Sequence, residues 1–115
     1  MYADAYRRVE RVEDPTAGGA FAKYRVVIGD GIKTVKAVLG EIEFQPDTIP
    51  NVGIKGWTNE CLLAVVSDRL TSFQSSEFAC PENAIAISAI DAALAALELR
   101  TKLRKDRGVE GKHVK

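Results

Sequence analysis

Three arginines, Arg100, Arg104 and Arg107, stand close together in the stretch "RTKLRKDRGVEG" (residues 100–111). The spacing i, i+4, i+7 places them on one stripe of a helix. A guanidinium is a planar fork of N–H donors, so such a stripe can grip a phosphate or another oxyanion bidentately. The plainer reading is electrostatic: cations near a helix C-terminus offset the negative end of the helix dipole. Ala93, Ala96 and Leu97 form an apolar shoulder beside the stripe and could wall a pocket.

Other chemistry is thin. The single histidine, His113, lies in the expected C-terminal tail, where a histidine is ordinarily solvated. No serine or cysteine has an evident base, and no metal-ligand spacing occurs. "GDGIKT" (29–34) lacks the spacing and the Gly-Lys-Ser/Thr ending of a phosphate loop, so it reads as a turn. Cys61 and Cys80 make no disulfide framework; they are expected at opposite ends of a helical hairpin, as reduced and partly buried thiols.

The elements that must position the stripe follow from composition and pattern. A chain of 115 residues suits one domain with a modest core. No membrane-length apolar run occurs, and "MYADAYRRVERVED" has no signal-peptide core, so the expected setting is the cytoplasm. The net charge is zero but uneven. Residues 1–40 hold seven Lys/Arg and five Asp/Glu, residues 41–99 two and nine, and residues 100–115 seven and two. That pattern points to an anion site near the C-terminus or to pairing of unlike surfaces, not to general nucleic-acid binding.

The first half reads as β. Residues 21–28 and 34–45 are rich in β-branched and aromatic residues and flank a "GDG" turn, which predicts a hairpin. Residues 5–13 suit a further strand, 14–19 a loop, and 45–56 an irregular connection. The second half reads as two helices. Thr58 is a good N-cap for a helix near 59–73, with Leu62, Leu63, Val66, Leu70 and Phe73 as its apolar stripe. Pro81 suits the first position of a second helix that runs to about Arg107 and stops at Gly108. The expected fold is therefore α+β: a small N-terminal antiparallel sheet, then an antiparallel two-helix hairpin. The divisions are a β-rich part over 1–56, the hairpin over 57–111 and a tail over 112–115.

The second helix has two apolar seams. Ile87, Ile90, Leu94 and Leu97 form one; Ile85, Ala89, Ala92, Ala96, Leu99 and Leu103 form the other. One seam can pack within the chain. The second needs another partner, and its alanines would let a neighbouring backbone approach closely, which predicts that the hairpin mediates oligomerisation.

The stretches "GWTNECLLAVVSDRLTSFQ" (56–74), "ACPENAIAI" (79–87) and "RTKLRKDRGVEG" follow one another along the chain. In this order they resemble the phage anti-defence sponges of the Thoeris type, whose hairpin is shared with the sponge that counters CBASS immunity. "EIEFQ" (41–45) and "GIKGWTNE" (53–60) are similar to the lead-in of that type. The resemblance implies a binding protein and no enzyme. It implies capture of an immune second messenger, a cyclic ADP-ribose isomer, without a cofactor; some members also hold cyclic di- or trinucleotides in a separate pocket. It implies a homo-dimer or homo-hexamer, with no membrane and no specific nucleic acid as partner. Carried over by motif, the base-stacking aromatic is Phe73, the helix-start asparagine is Asn83, and two phosphate-binding arginines are Arg100 and Arg104, with Arg107 on the same stripe. The chain departs from the family pattern at Trp57, Pro81, Ala96 and Lys112, which bear on pocket shape.

Helix geometry constrains this site. Asn83 and Arg100 are seventeen residues apart on the second helix. That is about 25 Å at ~1.5 Å per residue, too far for one small cyclic nucleotide to span in one chain. If all these residues touch one ligand, the arginines come from a second subunit packed antiparallel, and a two-fold dimer makes two equivalent sites. Two other readings of the sequence remain. A hydrolase would need a base or metal, for which Glu82 and Glu110 are the nearby carboxylates; a structural or DNA-associated phage protein would use the basic end on backbone phosphate.

Overall fold

The computed structural model describes residues 1–16, 18–29 and 37–108. It forms two compact units, Met1–Trp57 and Thr58–Lys115. The fold is α+β, a three-stranded antiparallel sheet followed by helices.

The sheet has strand order β1 (Arg7–Val12), β2 (Lys23–Ile28), β3 (Ala37–Glu43). β1 is the strand expected within 5–13, and β2 and β3 are the expected hairpin. Its turn after Gly29 and the first residues predicted for β3 lie outside the described residues. Register follows charge. Glu10 sits opposite Arg25, which sits opposite Glu41, so one row across the sheet alternates in sign. Arg25 Nε donates to Glu10 Oε1 at 3.1 Å. Opposite charges on neighbouring strands stabilise a sheet by roughly 0.2–1 kcal/mol per pair. A register shift between Val26 and Val27 marks a bulge. Val27 is 0% exposed, the one fully buried side chain among the described residues. Its burial is worth about 1.5–3 kcal/mol.

Ahead of β1 the chain folds back on itself. Ala3 pairs with Arg8, and the Asp4 carboxylate accepts hydrogen bonds from the Tyr6 and Arg7 amides, both 2.8 Å. After β3, Phe44 and Trp57 pair in parallel and close a loop over residues 45–56. The sequence reads this segment as irregular, yet it holds a one-turn helix, α1 (Ile49–Val52). A glutamine organises it. Gln45 Nε2 donates to the Asp47 and Gly53 carbonyls (2.9 and 2.7 Å), and Gln45 Oε1 accepts from the Lys55 amide (2.8 Å). Gly56 has φ +72°, and a Cβ there would run into the backbone of Glu43 and Phe44. Only glycine fits.

The second unit is a helical hairpin of α2 (Asn59–Gln74) and α3 (Pro81–Asp106). Thr58 caps α2 as expected: its hydroxyl accepts from the Cys61 amide at 3.1 Å, and Glu60 lies in the first turn. Gln74 closes the turn, with Nε2 donating to the Cys80 carbonyl (3.0 Å) and Oε1 accepting from the Cys80 amide (2.9 Å). Pro81 starts α3. Arg107 and Gly108 end it, with Gly108 at φ +71°.

The inner stripe of α2 differs from the expected one. Leu63, Ser67, Leu70 and Gln74 are half-buried, whereas Val66 and Phe73 stand aside, 39% and 36% exposed. Two polar residues take inner positions because each is hydrogen-bonded there: Gln74 across the turn, and Ser67 by donating to Asp91 Oδ1 at 3.1 Å. On α3 the expected seam Ile87, Ile90, Leu94 and Leu97 is half-buried. The other seam, Ile85, Ala89, Ala92, Ala96, Leu99 and Leu103, is exposed throughout. Neither helix holds a fully buried residue among those described. No helix of the described residues is long and apolar enough to cross a membrane.

Candidate functional site

The arginine stripe forms as the spacing predicts. Arg100, Arg104 and Arg107 line a groove of about 410 Å³ together with Ala96, Leu99 and Leu103. The apolar wall is thus Ala96 with the outer seam. Ala93 and Leu97, expected in that wall, are half-buried on the inner side. Every lining residue belongs to α3 or, for Arg107, caps it. The reason is length: α3 has 26 residues and α2 has 16. With Ser67 level with Asp91, equal rise along two antiparallel helices puts Asn59, the start of α2, opposite about Leu99. The arginines lie on the overhang, where α2 offers no second wall. Arg100 makes no ion pair among the described residues.

Phe73 and Asn83 sit at the other end, in the last turn of α2 and the first turn of α3. The structure therefore brings the three arginines together, and brings Phe73 and Asn83 together, but separates the two groups by about 25 Å of helix. Phe73 is partly exposed, and Arg69, one turn earlier, carries its guanidinium carbon 5.2 Å from the ring centroid. That is cation–π range. The sequence reading passed over Arg69; the signal available was its i, i+4 spacing to Phe73.

Phe73 and the arginines lie on one flank of the hairpin, while Asn83 is half-buried on the inner stripe of α3. The Ser67–Asp91 hydrogen bond marks the opposite flank. Counting about 100° per residue, Arg69 and Phe73 fall on the other side of α2's inner stripe from Ser67, and the arginines fall on the corresponding side of α3's. A long, narrow surface results, with an aromatic at one end and cations at the other.

Other features are less suited to a ligand. A larger hollow of about 750 Å³ follows the edge of β1 and includes Arg8, Arg11, Glu10 and Asp4. Its charges other than Arg7 are engaged with neighbours: Arg8 with Glu10 at 3.6 Å, Arg11 over the Phe21 ring at 4.6 Å, and Asp4 in its own turn. Cys61 is exposed, not partly buried as expected, and Cys80 is half-buried; both are free thiols. Hydrogen bonding to Thr58 holds the Cys61 thiol below its ordinary pKa. Glu82 lies in the first turn of α3, while Glu110 and His113 lie outside the described residues. No group of His, Cys, Asp or Glu able to hold a metal ion occurs among the described residues.

Two comparisons bear on this arrangement. The family model described as Acb2/Tad1, hairpin domain, matches residues 36–102. The chain is also 44% identical over 84 residues to Thoeris anti-defense 1 of Bacillus phage SBSphiJ7, covering 73% of this chain and 59% of that relative. The chain thus spans about three-fifths of the length of the relative it matches.

Proposed function

This chain belongs to the Acb2/Tad1 hairpin family, and on that premise we propose that it is an anti-defence protein that binds a cyclic nucleotide immune messenger and withholds it without degrading it. The messenger is a cyclic ADP-ribose isomer of the Thoeris type. The observation that carries this reading is the groove of Arg100, Arg104 and Arg107 against Ala96, Leu99 and Leu103. Three cations on an apolar wall match a pyrophosphate that must be neutralised out of water.

The rest of the ligand is recognised at the other end of the flank. Phe73 stacks on the adenine, and Asn83 offers its amide to a base or ribose. Because about 25 Å of helix separates these groups, one ligand reaches both only when the arginines belong to a second chain. Two hairpins packed antiparallel along the exposed seam Ile85, Ala89, Ala92, Ala96, Leu99 and Leu103 satisfy that condition and complete two equivalent sites. The small residues of the seam let the two α3 backbones come close. A desolvated pocket shared by two chains supports the nanomolar affinity that stoichiometric capture needs, about −12 kcal/mol.

No step of chemistry is part of this reading, so the ligand leaves as it entered. The test is isothermal titration with glycocyclic ADP-ribose, then heat denaturation and chromatography of the released ligand. The expected result is tight binding near one ligand per subunit with the ligand recovered intact. Tight binding with a cleaved product overturns sequestration in favour of hydrolysis. An absence of binding overturns the choice of messenger, and the same titration with cyclic di- and trinucleotides then tests the separate-pocket reading.

A further inference from the structure

We infer that Arg69 is a further ligand-binding residue of this site, holding a phosphate of the nucleotide whose base lies against Phe73. The inference rests on the reading of Phe73 as the stacking residue.

Three observations carry it. First, Arg69 is the only Lys or Arg between Thr58 and Leu99, a stretch that holds six carboxylates. No carboxylate stands three or four residues from it along α2, and Arg69 forms no ion pair among the described residues. Second, its guanidinium lies over the Phe73 ring at 5.2 Å. A cation–π contact of this kind uses the charge and not the N–H donors as such, so donors remain for an anion. The ring in turn remains 36% exposed, enough to meet a base. Third, Arg69 is one turn from Phe73 on the same side of α2, so a phosphate of a nucleotide whose base lies against Phe73 comes within its reach, beside the arginines of the second chain.

Phe73 and Arg69 then act as a pair. The ring fixes the cation before the ligand arrives, which lowers the ordering cost of the phosphate contact. The purely structural alternative is an i, i+4 contact that steadies the last turns of α2 and does nothing for the ligand.

The experiment compares the full chain with Arg69→Met and Arg69→Lys by titration with glycocyclic ADP-ribose at low and high salt. Arg69→Met keeps the stem against the ring and removes the charge. Both side chains lie at the surface, so any fall in the thermal midpoint is confined to the loss of one exposed cation–π contact. The expected result is a roughly ten- to hundredfold weaker Kd for Arg69→Met, as for loss of a charge-assisted hydrogen bond. The gap narrows at high salt, and Arg69→Lys restores part of it. Equal affinity of Arg69→Met and the parent overturns the inference, as does a loss that is the same at every salt concentration and is not relieved by lysine. Failure of the parent chain to bind overturns the underlying reading of the site, a distinct outcome.

Discussion

If two chains share each site, two broken chains repair each other. On the proposed site, Phe73→Ala removes the stacking ring, and Arg100→Ala removes a phosphate contact. A lost base–aromatic stack costs about 1–3 kcal/mol. A lost charge-assisted hydrogen bond costs about 1.5–3 kcal/mol. Each variant alone therefore binds glycocyclic ADP-ribose roughly ten- to a hundredfold more weakly than the parent. Co-refolded in equal amounts, the two variants form mixed dimers. In a mixed dimer one site carries both lesions and the other carries neither, because Phe73 and Arg100 of one site come from different chains. Random pairing makes half the dimers mixed, so about one quarter of all sites regain parental affinity. Equilibrium dialysis, at a ligand concentration between the parental and variant Kd values, counts them. Failure to regain any sites refutes the shared-site reasoning, and with it the inference from about 25 Å of helix between Asn83 and Arg100.

Smaller changes test the supporting structure. Thr58→Ala removes the cap of α2 and lowers stability by about 1 kcal/mol, read by denaturant unfolding. It also raises the Cys61 pKa, since Thr58 hydrogen bonds hold that thiol down; at neutral pH a disulfide reagent then reacts more slowly, in a Cys80→Ser background. Asp4 is held below the usual carboxylate range by the amides of Tyr6 and then Arg7. Its contribution is therefore present above the ordinary carboxylate pKa and is lost as pH falls through the depressed folded value. Asp4→Ala lowers the thermal midpoint at neutral pH, and the difference from the parent vanishes in acid. Gln45→Ala removes three hydrogen bonds and speeds hydrogen exchange over residues 45–56, at a cost of about 1–3 kcal/mol.

What could be read in the sequence was mostly local. Thr58, Pro81 and Gly108 announce helix ends through backbone chemistry that depends on neighbours only, and the structure places α2 and α3 accordingly. The arginine groove was legible because i, i+4, i+7 is a statement about one helix. Contacts made across the chain were not. Reading α2 by hydropathy put Val66 and Phe73 inside, because nothing in the pattern shows that Ser67 will meet Asp91 or that Gln74 will clamp Cys80. Gln45 carries no signature of its own, so the loop it organises read as irregular and α1 went unseen. Arg69 is marked in the sequence only by its i, i+4 spacing to Phe73, the ring that its guanidinium approaches.

The near-absence of fully buried side chains has a consequence for how such a molecule is handled. Val27 alone is fully buried among the described residues, while Ile85, Leu99 and Leu103 stand at half exposure or more. A chain that shelters so little apolar surface by itself draws its stability from whatever covers the remainder. If a second copy does so, mass action sets the folded fraction, and the thermal midpoint rises with protein concentration. For such a chain dilution acts as a denaturant, and a messenger bound between two copies acts as a staple.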